Sequence, residues 1–176
     1  MSRRVRRNVR SALSLAATAV IGGVVHANAP PGQYASFDRS EHCISDQFTK
    51  LTWARTPVVV PGQFDQAAAY CASVGADGGQ STWRLPSVNE LETLVDEIPH
   101  YEIESGQLVP IAIDANAFFA TPATTTYWTS SPAPGGTSAW VVYFEDGTTT
   151  TAPKSETGHP VRCVTEWKTA PPVCPL

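Results

Sequence analysis

The chain has 176 residues, with 12 Lys and Arg against 16 Asp and Glu and a hydrophobic content of 42 %. Five of the arginines (Arg3, Arg4, Arg6, Arg7 and Arg10) crowd the first ten residues, which leaves the remainder seven basic side chains and a net charge of −9. So acidic a remainder excludes a general polyanion-binding surface such as a DNA-binding face, and the chain's length suits one domain with a real core better than two.

The arginines precede an uncharged Ala/Val/Leu-rich run over residues 11–25, too short to span a bilayer as an uncleaved anchor. A basic head, an apolar stretch and a small-residue exit read as a secretory signal peptide over residues 1–27. Cleavage after Ala27 is favoured over cleavage after Ala29, because the latter leaves Pro30 first. The paired arginines suggest twin-arginine export, but no Phe-Leu follows them. Residues 28–42 then read as a flexible, Pro/Gly-rich lead-in, and residues 43–176 as a single domain.

Within that domain residues 50–55 fit a strand. Residues 64–74 fit a helix with Phe64, Ala68 and Cys71 on one face. In Trp83-Arg84-Leu85-Pro86-Ser87-Val88-Asn89-Glu90-Leu91, Pro86 biases Leu85 towards extended geometry, and Ser87 with Glu90 makes a capping box. Val88, Leu91, Leu94 or Val95, and Ile98 then predict a second helix with one apolar stripe. Glu90, Glu92, Asp96, Glu97, Glu102 and Glu104 follow with no Lys or Arg between them. They form a solvated helix face or, alternatively, a cation-attracting surface.

Residues 99–126 lack periodicity and hold Pro99, Pro110 and Pro122, which predicts a long, functional or mobile loop region. Strands are expected at residues 126–130, 139–144, 148–151 and 161–165. Glu145-Asp146-Gly147 supplies a hairpin turn. The Pro-rich residues 169–176 suit neither helix nor central strand, and Cys174 ties them down.

All four cysteines follow the export segment, where an oxidising compartment favours two disulfides out of three pairings. Cys71 falls on the first helix and Cys163 on the last strand, while Cys43 and Cys174 lie near the two ends of the domain. Position therefore pairs Cys71 with Cys163 and Cys43 with Cys174. Zinc binding is the alternative, but no Cys-x-x-Cys or Cys-x-x-His spacing supports it.

Several stretches in order carry a family resemblance: residues 51–55, 64–71, 83–91, Ile113-Asp114, 127–131, 139–147 and 161–164. Together they resemble the domain of unknown function at the C-terminus of the Legionella collagen-like adhesin. Through it they resemble the C-type lectin-like fold and its formylglycine-generating branch. The resemblance implies an α+β domain, with two helices packed on a twisted antiparallel sheet beside the long loop region. It also implies a disulfide from first helix to last strand, in agreement with Cys71–Cys163. Two family activities do not carry over. The lectin calcium triplets are absent and Trp140 is followed by Val141-Val142, while the formylglycine-generating enzymes need reactive cysteines that here suit disulfides.

Candidate binding residues follow from chemistry. Asp114 and Asn116, with Glu145 or Asp146, offer oxygen ligands to calcium, although Asp114 equally suits a loop or helix cap. Trp128 and Trp140, beside Tyr143 and Phe144, offer aromatic surface to a sugar, although strand alternation turns part of this set inwards. Arg84 suits a buried polar network, since its planar fork matches carbonyls or a carboxylate. His42, His100 and His159 stand isolated, and no HExxH, GxSxG or phosphate loop is present.

The expectation is an exported, non-catalytic recognition domain in the periplasm or outside the cell. It needs no cofactor, with calcium as the optional one, and contacts neither nucleic acid nor, after signal cleavage, membrane. Its ligand is an extracellular glycan or protein. The adhesin resemblance implies sulfated polysaccharides, but the net charge of −9 suits a neutral glycan or a basic partner better. The alternatives are an assembly subunit that forms homo-oligomers through the same surface, and a divergent formylglycine-generating-type enzyme.

Overall fold

The computed structural model describes residues 29–36, 42–74, 82–167, 169–171 and Cys174. The expected signal peptide, residues 1–27, lies outside them, as does part of the expected lead-in. Among the described residues eleven strands and two short helices follow one another: β1 (Tyr34–Ala35), β2 (Cys43–Asp46), β3 (Leu51–Ala54), β4 (Val58–Val59), α1 (Phe64–Ser73), α2 (Val88–Glu92), β5 (Val95–Glu104), β6 (Gln107–Ile113), β7 (Thr126–Pro132), β8 (Ser138–Tyr143), β9 (Thr149–Pro153), β10 (Pro160–Val161) and β11 (Val164–Glu166). They assemble four antiparallel sheets, ordered β1-β2-β3-β11, β10-β4, β5-β6 and β7-β8-β9.

Local chemistry explains the first sheet. The Asp46 carboxylate accepts from the amides of Phe48 at 2.8 Å and Thr49 at 3.1 Å, closing the turn that returns β2 to β3. Ser45 and Thr52 face each other in register and share a buried hydroxyl hydrogen bond of 2.8 Å, so neither polar group is stranded. Tyr34 and Ala35, inside the segment expected as lead-in, pair with Asp46 and Ser45, and Gln33 donates to Asp46 at 3.0 Å.

Alternation along the strands feeds two cores. Ile44, Trp53, Leu91, Ile113, Phe118, Tyr127, Val142, Phe144 and Val164 build the first. Their neighbours in sequence Cys43, Trp128, Val141 and Cys163, with Cys71, Trp83, Leu85 and Val161, build the second. The β7-β8-β9 sheet lies between them, since Tyr127 and Val142 go one way and Trp128 and Val141 the other. The expected disulfides are both formed: Cys71–Cys163 inside the second core, with Cα atoms 5.4 Å apart, and Cys43–Cys174 at 5.9 Å.

The expected C-type lectin-like α+β layout, two helices on one twisted sheet with a long loop, is corrected by this architecture. The fold is strand-dominated, its four small sheets share no continuous platform, and α2 has only five residues. The capping box at Ser87 and Glu90 forms as expected, but the apolar stripe does not continue: Leu94 is buried, whereas Ile98 is 56 % exposed on β5. A helix running on would meet Pro99, which clashes with the preceding turn. Pairing of Val95 with Ile113 captures the chain instead, and residues 96–99 bulge opposite Ala112 alone. Residues 99–113, expected as loop, thus belong to a hairpin. Its turn is Ser105-Gly106, with φ of 51° and 81°, the double positive φ of a type I′ turn.

Candidate functional site

The β5–β6 hairpin is the main exposed apolar surface among the described residues. Ile103 opposes Leu108 and Tyr101 opposes Pro110, so these four share one side of the ribbon. Tyr101, Ile103 and Leu108 are 65 %, 77 % and 68 % exposed. The other side turns Val109 and Ile111 into the first core. It also carries His100, Glu102 and Glu104, with His100 Nε2 3.5 Å from the Glu102 carboxylate. Glu104 accepts from the Thr124 hydroxyl at 3.1 Å through one oxygen, and its second oxygen is buried without a partner. Glu102 and Glu104, with Ile111 and Thr121, line an open cavity of about 260 Å³. Asp96, in the bulge, is held up at about 6 chiefly by burial, then by the nearby Asp114, against an opposing effect of His100.

Two arginines fasten the segment that follows the hairpin. Arg55 donates to the carbonyls of Ala117 and Asn116, both at 2.8 Å, and lies 4.7 Å from the Phe119 ring centre. Arg162 is fully buried; it donates to the Ala54 carbonyl at 2.9 Å, to the Arg55 carbonyl, and to the Thr121 hydroxyl at 2.7 Å. Its guanidinium stands over Phe118 at 4.9 Å, with no carboxylate partner among the described residues. Burial lowers it to about 10, with Tyr127 and Tyr34 opposing.

Arg84 has the anchoring role expected of it, at a half-exposed position. It donates to both Glu90 oxygens at 2.8 and 2.7 Å and to Glu166 at 2.8 Å, joining α2 to β11. Hydrogen bonds from Arg84, ahead of those from Ser87, hold the Glu90 carboxyl down at about 2 against the opposing effect of burial.

Among the residues proposed from sequence, the three acidic ones are each engaged in local hydrogen bonds. Asp114 caps a turn, accepting from the amides of Asn116 at 2.9 Å and Ala117 at 3.1 Å, while the Asn116 carbonyl is engaged by Arg55. Asp146 accepts from the amide and hydroxyl of Thr148 at 2.9 and 2.7 Å. Glu145 accepts from the Tyr143 hydroxyl, a bond that raises the phenol to about 12. Trp128 is buried, edge-on to Phe64 at 5.5 Å, and Trp140 is half-buried on β8. Among the described residues no group of three or more His, Cys, Asp or Glu side chains could hold a metal ion, and no helix is long and apolar enough to cross a membrane. Sequence reasoning missed Tyr101, Ile103 and Leu108. Their signal was Ser105-Gly106 between two β-prone runs, masked by the flanking prolines.

Fold and surfaces together define a strand-built domain, twice disulfide-bonded, that leaves one apolar hairpin in solvent. The Lcl C-terminal domain family matches residues 42–165, and the chain belongs to that family. No curated protein and no solved structure matches the chain.

Proposed function

We propose that this chain is an exported, non-catalytic recognition domain of the adhesin type, which meets an extracellular protein or neutral glycan through the β5–β6 hairpin. The observation that carries the reading is the apolar side of that hairpin. Burying a large apolar side chain is worth roughly 1.5–3 kcal/mol, so a monomer gains nothing by leaving Tyr101, Ile103 and Leu108 in water unless a partner covers them.

Membership of an adhesin-associated family supports recognition, and the two disulfides suit an oxidising compartment outside the cytoplasm. All four cysteines are spent in those bonds, which leaves formylglycine-generating-type chemistry no thiol. The reading calls for no cofactor, calcium included, because Asp114 and Asp146 already spend an oxygen on local turns.

The test is binding of the labelled, disulfide-bonded protein to arrays of neutral glycans and of extracellular proteins, beside an Ile103→Lys, Leu108→Lys double variant. Binding that disappears in the double variant, with an unchanged melting curve, supports the reading. Binding that survives the double variant removes the hairpin from it.

A further inference from the structure

Beside its apolar side, the hairpin has an open edge. β5 is hydrogen-bonded to β6 on one side and, among the described residues, pairs with no strand on the other. Natural folds blunt such edges, because unpaired amides and carbonyls recruit another strand. Pro99 blunts one part of β5. Residues 101–104 hold no proline, glycine or basic residue, and Glu102 and Glu104 blunt the edge only against strands that bring no basic side chain to meet them.

We propose that residues 101–104 of β5 are a strand-addition site for an extended segment of a partner protein in which apolar and basic side chains alternate. This rests on the recognition reading and names its partner class. The alternation follows from the geometry of the edge. Tyr101 and Ile103 point to the solvent-facing apolar side, and Glu102 and Glu104 to the other. A segment paired with β5 therefore sets every second side chain beside Tyr101 and Ile103, where apolar groups extend the exposed patch. The intervening side chains come beside Glu102 and Glu104, at the open cavity of about 260 Å³.

Charge selects what enters there. Glu104 has a buried oxygen that accepts from no group among the described residues, and a charged donor is the strongest partner for such a group. No Lys or Arg occurs between Arg84 and Lys154, and Arg162, which donates to Thr121 at the same cavity, makes no hydrogen bond to Glu104. The same charge disfavours other occupants. A second copy of β5 would set Glu102 and Glu104 against their own counterparts, and an anionic lipid surface would be repelled.

The experiment uses the full disulfide-bonded protein and two fluorescent peptides of about ten residues, one alternating Val with Lys and the other Val with Glu. The Val–Lys peptide is expected to bind and to slow hydrogen exchange at the β5 amides, while the Val–Glu peptide does not bind. Glu104→Gln, which keeps an acceptor for Thr124, and Ile103→Lys on the exposed side should each weaken binding about tenfold or more. Equal binding of both peptides, wild-type affinity in both variants, or a stable dimer that Ile103→Lys dissociates would overturn the proposal. Failure of the Val–Lys peptide while array binding still depends on Ile103 and Leu108 would overturn strand addition alone and leave the recognition reading standing.

Discussion

Gly147 closes the turn between β8 and β9 under two constraints. Its φ is 77°, and a Cβ there would lie 2.5 Å from Val95 Cγ1 at the start of β5. Gly147→Ala therefore pays for both backbone strain and overpacking and should cost about 2–4 kcal/mol in urea unfolding. Asp96 shows a different kind of strain. Its carboxyl rises from 3.8 to about 6 on folding, so the native state disfavours the ionised form, and stability falls as pH climbs between those values. Asp96→Asn should raise the melting temperature at pH 7, and the gain should vanish below about pH 4. The side chain is about half exposed, so solvent screening keeps the effect modest. Glu90 works in the opposite sense: its carboxyl drops from 4.5 to about 2, so its contribution is present above 4.5 and is lost as pH falls towards 2.

At the scale of elements, the irregular segment after β6 is held by side chains instead of by a sheet. Arg55 supplies two hydrogen bonds to it and Arg162 a third. Arg55→Ala should loosen residues 114–119 by about 1–3 kcal/mol, read as faster amide exchange there and unchanged exchange in β7 and β8. The elements legible in sequence were those with self-contained chemistry. The Ser87–Glu90 box, the Asp146-Gly147 turn, the Phe64 to Cys71 stripe and both cysteine pairs each depend on a few neighbouring residues or on position in the chain. What escaped depended on distant partners. Val95 lies in a stripe that helix and strand satisfy equally, and only Ile113, far along the chain, decides between them. Arg162 reads as an ordinary strand residue, because its carbonyl partners at positions 54 and 55 are more than a hundred residues away. For the site, alternation along a strand says that part of the set Trp128, Trp140, Tyr143 and Phe144 faces inwards but not which part; Trp128 is buried and Trp140 half-buried.

For the whole molecule, covalent bonds supply stability that four small sheets would struggle to provide alone. Cys71–Cys163 bridges 92 residues and ties α1 to the junction of β10 and β11. Replacing both cysteines by serine should cost roughly 2–5 kcal/mol against guanidinium while Cys43–Cys174 stays closed. The second bridge has a mechanical meaning. Cys43 and Cys174 lie 5.9 Å apart at their Cα atoms although 131 residues separate them. A pull on the chain outside this pair passes through one covalent link, and everything from β3 to β11 hangs from it as an unloaded loop. Stretching single oxidised molecules should show no unfolding step from that region, whereas reducing both bridges should release one of roughly 440 Å, taking about 3.4 Å for each of the 131 residues. Tension along the chain from outside the pair is thereby shunted past the β5–β6 hairpin, which stays folded under that load.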